Sequence, residues 1–268
     1  MVKLENVYFS YEDKTETLKN ISLEIKKGKK TVFLGENGSG KSTLFMIMNG
    51  LLKAERGSIY LEGEKVIYNK KNLEMLRRKV GIVFQDPEIQ IFAPTVFQEV
   101  SYGPGNLGYT KERIEEVVNS VLGDMDIEEL KDKPCHHLSY GQKKRVSIAS
   151  VMAMSPEVLI LDEPTAWLDP GNIVKMTAIL ERLNSGGKTI VISTHDIDFA
   201  YEIADYIYIL HKGEILREGE KEEVFSDFEF IRRANLNIPG ILKFRSYLKE
   251  RNIDMNDYYT FLKEKNLQ

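Results

Sequence analysis

Four short apolar runs recur along the chain, and polar residues or glycine follow each of them at once. The runs occupy residues 31–34, 81–84, 158–161 and 189–192. Continuous runs of Val, Ile, Leu and Phe of this length are typical of central parallel strands that are buried on both faces of a sheet. Ligands bind at the carboxyl edge of such sheets, so the polar residues just beyond the runs become candidates for a site.

The N-terminal part of the chain has a different pattern, in which apolar and polar residues alternate. Residues 21–25 alternate strictly, and residues 58–64 alternate into a turn that is followed by residues 65–67. A period of two predicts half-exposed antiparallel strands and a hairpin. We therefore expect a smaller antiparallel sheet beside the parallel core. A further hairpin is predicted over residues 206–219, with its turn at Lys212 and Gly213.

Helical patterns fill residues 94–154, which we interpret as an inserted helical subdomain. A capping box is predicted at residues 95–98, and the apolar residues of the segment 114–122 fall on one helical face. We expect residues 1–235 to form the main domain. The charged tail of residues 236–268 is predicted to be a C-terminal helical extension, with short amphipathic helices near residues 241–244 and 258–262.

Composition narrows the class of protein. The chain has 268 residues, 42% of them apolar and 29% charged, which excludes a disordered chain and allows a sizeable core. The net charge of −4 provides no basic surface for nucleic acid. The single cysteine, Cys135, excludes an internal disulfide framework. The apolar runs are too short to cross a bilayer, so we expect any membrane-spanning role to belong to another chain.

A phosphate loop follows the first apolar run and matches the pattern G-x-x-x-x-G-K-[ST]. Glycine lets backbone N–H groups approach phosphate oxygens, and the helix that follows adds the positive end of its dipole. Lys41 is expected to reach the β- and γ-phosphates and Ser42 to hold Mg²⁺. The pattern predicts an α/β fold with a P-loop NTPase core and a mostly parallel sheet, beside the N-terminal antiparallel β subdomain and the inserted helical subdomain. The predicted nucleotide-binding residues of this loop are Gly35, Glu36, Asn37, Gly38, Ser39, Gly40, Lys41, Ser42 and Thr43.

Polar residues beyond the other strands supply candidates for catalysis. Asp162 is a carboxylate at a strand end and is expected to bind Mg²⁺. Glu163 is the candidate general base for an attacking water, although it can also be a capping or salt-bridging glutamate. His195 is predicted to sense the γ-phosphate, against the alternative of a structural histidine. Gln85 can ligate Mg²⁺ or the water. Tyr11 can stack on adenine, or it is an ordinary core or surface tyrosine.

A helix start at Ser139 is the most informative remaining feature. Serine is a strong N-cap, and the N-terminus of the helix that it begins is an anion site. The phosphate loop encloses its own γ-phosphate from the core side, so a second subunit is needed to bring this helix onto it. In a two-fold dimer, Ser139 and Gly141 of one chain would cover the ATP held by Lys41 of the other. A plain capped helix is the alternative.

Taken together, these motifs resemble the ATP-binding subunits of ABC transporters from Tyr11 to about residue 213. The matching segments are the phosphate loop, Gln85, the signature 138–142, the strand 158–163, the loop at residues 168–169 and His195. The resemblance implies binding of ATP and Mg²⁺, and a nucleotide contact for Gln142 as well as for Ser139 and Gly141. Two residues depart from the pattern. Tyr140 replaces the usual first glycine of the signature, and Trp167 stands where a small residue is common.

A finer resemblance is to the energy-coupling-factor importers, in residues 84–96, 103–108 and 138–146. Within that group the chain looks most like the single-ATPase cobalt/nickel importers. The resemblance implies an ATP hydrolase coupled to transport, in a homodimer or a heterodimer with a similar ATPase. This dimer would sit peripherally at the cytoplasmic face of the cell membrane. It would dock through residues 85–108 on an integral membrane subunit, beside a substrate-binding membrane subunit.

Other functions remain open at the level of the sequence. A vitamin-type energy-coupling-factor importer shares much of the same segment. A soluble ABC ATPase in cofactor assembly has a similar size, and a nucleotide-binding regulator without turnover would carry the same phosphate loop.

Overall fold

The structure of the chain is a computed structural model, and it describes residues 1–12, 16–234 and 236–251. A six-stranded sheet and a four-stranded sheet share one core in these residues, to which helical residues also contribute, and further helices cover the other face of the larger sheet. The strands are β1 (Val2–Ser10), β2 (Glu16–Ile25), β3 (Lys30–Leu34), β4 (Arg56–Leu61), β5 (Glu64–Lys65), β6 (Val80–Val83), β7 (Val158–Asp162), β8 (Thr189–Thr194), β9 (Tyr206–His211) and β10 (Glu214–Glu220). The helices are α1 (Lys41–Met48), α2 (Lys70–Lys79), α3 (Val96–Asn106), α4 (Lys111–Asp124), α5 (Tyr140–Met152), α6 (Pro170–Ser185), α7 (Ile197–Ile203), α8 (Lys221–Val224), α9 (Phe228–Arg233) and α10 (Gly240–Glu250).

The larger sheet has the strand order β10-β9-β3-β8-β7-β6. The four apolar runs form its neighbouring strands β3, β8, β7 and β6, and all of these pair in parallel. Along β7, Val158 and Ile160 face one core while Leu159 and Leu161 face the other. Burial on both faces explains the unbroken apolar runs. The prediction of a mostly parallel central sheet is confirmed, but β6, which was predicted to be a central strand, lies at one edge of the sheet.

The smaller sheet is antiparallel throughout, in the order β2-β1-β4-β5. Its apolar face packs with α1 and with one face of the larger sheet in a shared core. The alternation of residues 21–25 and 58–64 therefore predicted this sheet correctly. The hairpin of β9 and β10 is also confirmed. It turns at Lys212 and Gly213, whose φ angles of 46° and 82° are left-handed.

Between β6 and β7 the chain forms α3, α4 and α5, which pack against one another. Thr95 caps α3 by accepting from the N–H of Gln98 at 3.3 Å. The side chain of Gln98 accepts from the Thr95 hydroxyl instead of from the Thr95 backbone N–H, so the expected capping box is only half formed. In α4, Val118, Val121 and Leu122 are buried on the predicted apolar face.

The C-terminal part begins after β10 with α8 and α9. The helix expected near residues 241–244 is present as α10, and the N–H of Gly240 at its start donates to Asp198 Oδ1 at 2.6 Å. The second expected helix, near residues 258–262, lies outside the described residues. The limits 1–235 and 236–268 stay predictions. Within residues 1–12, 16–234 and 236–251, no helix has the length and apolar character required to cross a membrane.

Candidate active site

A cavity of about 350 Å³ lies at the carboxyl edge of the larger sheet. The residues that follow β3, β6 and β7 meet here because these parallel strands end at the same edge of the sheet, and Tyr11 and Thr17, beside and within the smaller sheet, complete the lining. The cavity brings together most of the predicted residues of the phosphate loop with Gln85, Asp162 and Glu163. The lining residues are Tyr11, Thr17, Asn37, Gly38, Gly40, Lys41, Ser42, Thr43, Gln85, Asp162 and Glu163.

The phosphate loop joins β3 to α1 and depends on glycine at two positions. Gly40 has a φ of 104°, a conformation that side chains disfavour. A Cβ on Gly35 would lie 2.2 Å from the carbonyl oxygen of Leu210, so only glycine fits there. Gly40 is also the N-cap of α1 and provides no side-chain acceptor. The first N–H groups of α1 are therefore left to bind an anion, which fits a nucleotide phosphate.

Lys41 lies between this loop and the acidic end of β7. Its Nζ donates to the carbonyl oxygens of Gly35 at 2.6 Å and Glu36 at 3.0 Å, and it lies 3.6 Å from Glu163 Oε1. Burial lowers the pKa of Lys41, while the charges of Glu163 and Asp162 raise it. The ammonium group is thus held at the cavity, where a negatively charged phosphate would provide a further partner.

Asp162 and Glu163 are adjacent and both buried, but their carboxylates make different contacts. Asp162 Oδ1 accepts a hydrogen bond from Ser193 Oγ. The carboxylate of Glu163 lies 3.0 Å and 3.1 Å from Nδ1 of His195, and its backbone has a left-handed φ of 44°. The backbone turn after Asp162 therefore points the two carboxylates apart. That of Asp162 is available to a metal ion, and that of Glu163 is held by His195. Oxygen groups of Asp162, Ser42 and Gln85 line the same cavity, and this donor set suits Mg²⁺.

Ser193 is a residue that the sequence reasoning missed. Besides its bond to Asp162, its Oγ accepts from the backbone N–H of Glu163 at 2.9 Å. It is fully buried in β8 and fixes both acidic residues at once. The sequence contained one signal, since Ser193 directly follows the apolar run of residues 189–192 as Asp162 follows its own run, and the structure pairs these two residues.

Ser139 and its neighbours lie elsewhere. Ser139 caps α5 with a complete capping box, in which its Oγ accepts from the N–H of Gln142 and Gln142 Oε1 accepts from the N–H of Ser139. Ser139, Gly141 and Gln142 do not belong to the described residues that line the cavity of their own chain. A Cβ on Gly141 would lie 3.0 Å from the side chain of Asn172, which is bonded to Asp169. The start of α5 therefore adjoins the loop that leads into α6.

Tyr11 lines the cavity, and its hydroxyl lies 3.0 Å from Thr43 Oγ1. Its ring packs edge-on against Phe9 and is 44% exposed. This position at the mouth of the phosphate loop is compatible with adenine stacking, which stays a prediction.

Comparisons with known proteins agree with one another. The ABC transporter family model matches residues 18–166. The energy-coupling factor transporter ATP-binding protein EcfA of Methanocaldococcus jannaschii is 49% identical over 241 residues, which cover 90% of this chain and 86% of that protein. The solved structure of cbiO1 from Clostridium perfringens, described as part of the ABC transporter complex cbiONQ, has a TM-score of 0.79 and 43% identity, covering 91% of this chain and 98% of that one. A dimeric ABC transporter cassette, MJ0796, has a TM-score of 0.74 and 33% identity, covering 82% and 99%.

Proposed function

This chain belongs to the ABC transporter family, in its energy-coupling-factor group, and on that premise we propose that it is the ATP-hydrolysing motor subunit of an importer. The observation that carries the proposal is the cavity that brings the phosphate loop together with Asp162, Glu163 and Gln85. A regulator that only binds nucleotide has no need of a glutamate held between Lys41 and His195, beside the loop that is proposed to bind the phosphates.

In this proposal the phosphate loop binds ATP through its backbone N–H groups and Lys41. Ser42, Asp162 and Gln85 would hold Mg²⁺, which when bound neutralises charge on the phosphates. Glu163 orients or deprotonates the attacking water, and His195 holds the Glu163 carboxylate in place and senses the γ-phosphate. Tyr11 stacks on the adenine.

We further propose that two copies complete each other's sites. Ser139, Gly141 and Gln142 lie outside their own cavity, although the N-terminus of α5 has the chemistry of an anion site. A two-fold, head-to-tail arrangement would place this helix end over the ATP of the partner. The similarity to a dimeric cassette supports this arrangement, with either a second copy or a related ATPase as the partner.

The membrane subunit would dock on residues 85–108. In this segment Ile89, Phe92 and Tyr102 are exposed, and the rings of Phe92 and Tyr102 pack edge-on at 4.7 Å. Exposed apolar groups of this size favour a protein partner over water. The resemblance to the energy-coupling-factor importers further implies a peripheral position at the cytoplasmic face of the membrane, beside a substrate-binding membrane subunit.

The proposed cargo is cobalt or nickel ions, with a vitamin as the alternative. The proposal rests on the resemblance of the chain to the single-ATPase cobalt/nickel importers and on the similarity to cbiO1, because vitamin importers share much of residues 84–96 and 138–146. Purification of the chain with its integral membrane partners, followed by uptake assays with each metal ion and each vitamin, would distinguish these cargoes. Recovery only in a soluble complex would favour the alternative of an ABC ATPase in cofactor assembly.

The experiment that tests the catalytic assignment compares ATP hydrolysis by the wild type and Glu163→Gln. The substitution keeps the shape of the side chain but removes the base. We expect kcat to fall about 10²–10⁴-fold with ATP binding retained. Unchanged steady-state hydrolysis would show that Glu163 is not the base. A wild type that binds ATP without turning it over would favour the regulator.

A further inference from the structure

The main chain of Gln85 is attached to α5 by two side chains. Its carbonyl oxygen accepts a hydrogen bond from the hydroxyl of Tyr140 at 3.2 Å and another from Nζ of Lys144. Tyr140 and Lys144 are four residues apart, so they lie on the same face of the helix. Two side chains of α5 therefore bond to the same carbonyl oxygen, that of Gln85.

Lys144 also reaches the residue proposed as the base. Its Nζ donates to the carbonyl oxygen of Glu163 at 3.3 Å and lies 3.5 Å from that of Phe84. Only 1% of Lys144 is exposed. Burial lowers its pKa to about 8, while the charges of Asp162, Asp86 and Glu163 raise it. An apolar side chain would fill this space without the cost of burying an ammonium group, so packing alone does not explain a lysine here.

Further contacts extend the attachment along the segment of residues 84–90. Lys143 pairs with Glu88 at 2.6 Å. Gln90 donates to the carbonyl oxygen of Ser147 at 3.2 Å and accepts from the N–H of Phe84 at 3.0 Å. The segment is thus bonded to successive turns of α5, and a movement of the helix would carry Gln85 with it.

We propose that Tyr140 and Lys144 are positioning residues. Both fix the backbone of Gln85 relative to α5, and Lys144 also fixes that of Glu163. ATP hydrolysis therefore depends on the docking of α5 on the partner chain. The inference rests on the proposed function. It gives Tyr140 a role that glycine, the usual residue at this position of the signature, has no side chain to perform. Burial and the charges of Asp86 and Glu88 raise the pKa of Tyr140 to about 12, so its hydroxyl remains a donor.

The test measures kcat, the Kd for ATP and the melting temperature of the full chain carrying Tyr140→Phe, Lys144→Met or both. Tyr140→Phe removes one hydroxyl and keeps the ring. We expect kcat to fall severalfold in Tyr140→Phe and about tenfold in Lys144→Met, while the Kd for ATP stays within twofold. Because both donors share one acceptor, the effects on kcat should not be additive in the double variant.

Lys30→Met is the matched control. Lys30 is also a buried lysine, and it pairs with Glu181 at 2.7 Å at the start of β3, far from the phosphate loop at the end of that strand. We expect it to lower the melting temperature and leave kcat unchanged.

Two results would overturn the inference. One is unchanged kcat in Tyr140→Phe and Lys144→Met, whatever their stability. The other is a parallel loss of kcat and ATP affinity, which would indicate general damage to the site. If Lys144→Met does not fold, Tyr140→Phe decides alone. A wild type without turnover would overturn the proposed function itself, whereas an active wild type with unaffected variants would overturn this inference alone.

Discussion

The ring of Tyr140 packs edge-on against the ring of Trp167, with centroids 5.5 Å apart and planes at 82°. These are the two residues that depart from the sequence pattern of the family, and they are neighbours in the structure. A bulky side chain in the signature is therefore matched by a second one in the loop before α6. Trp167 is 68% exposed and has a left-handed φ of 61°, so its large apolar ring lies on the surface beside the start of α5.

Trp167 should report the closing of a dimer. It is the only tryptophan, so tryptophan emission, excited at wavelengths that the tyrosines do not absorb, reports on this surface alone. Addition of Mg-ATP to Glu163→Gln should shift the emission to shorter wavelength, because a partner docked on α5 would exclude water from the ring. ADP serves as the control and should leave the spectrum nearly unchanged. A dimer that forms without a change in emission would place Trp167 outside the interface.

Ser193→Ala should impair metal-dependent turnover. The substitution removes the hydroxyl that bonds both the carboxylate of Asp162 and the N–H of Glu163. We expect kcat to fall about tenfold and the Mg²⁺ concentration for half-maximal activity to rise, since a misplaced carboxylate binds the ion less well. Steady-state hydrolysis over a Mg²⁺ titration measures both.

Thr189→Val is the matched control for this experiment. It removes another buried hydroxyl from the same strand, at its opposite end, where Thr189 Oγ1 accepts from Gly28. We expect Thr189→Val to lower the free energy of unfolding about as much as Ser193→Ala does, without a shift in the Mg²⁺ concentration for half-maximal activity. If the two variants respond alike to Mg²⁺, Ser193 has no specific role in the site.

Gly35→Ala should damage both folding and nucleotide binding. The added methyl group would lie 2.2 Å from the carbonyl oxygen of Leu210, so the phosphate loop or β9 has to move. We expect a loss of about 1–3 kcal/mol in the free energy of unfolding and weaker ATP binding. Gly105→Ala, in α3 with nothing within 4 Å of the added carbon, should be neutral or stabilising. Denaturant unfolding and ATP titration test both, and normal ATP affinity in Gly35→Ala would contradict the steric argument.

The parts of the fold that could be predicted are those in which one local pattern has one structural cause. Strands that are buried on both faces contain unbroken apolar runs, so β3, β6, β7 and β8 were recognisable. The alternation of β2 and β4 similarly reflects one buried face. The phosphate loop was recognisable because its glycines meet a local steric requirement.

Contacts between distant residues could not be predicted in this way. Lys143, Lys144 and Arg145 look like a run of solvated charges, yet each has a different environment. Lys143 pairs with Glu88, Lys144 is buried between two loops, and Arg145 bonds to backbone oxygens at the end of α4. The position of Tyr140 beside Trp167 likewise depends on how α5 packs against the loop after β7. A single sequence contains no local signal for such pairings.

The central claim is that Ser139 of one copy meets the phosphate loop of the other. It is tested most directly by cross-linking a chain with Ser139→Cys to a chain with Asn37→Cys, both in the Glu163→Gln background, with a short bis-maleimide. Ser139 and Asn37 are exposed and the native Cys135 is buried, so each chain presents one accessible thiol. The account predicts a cross-linked dimer that requires Mg-ATP and forms only when the two variants are mixed. Protein that stays monomeric with ATP, or a dimer that does not cross-link in the mixture, would contradict it.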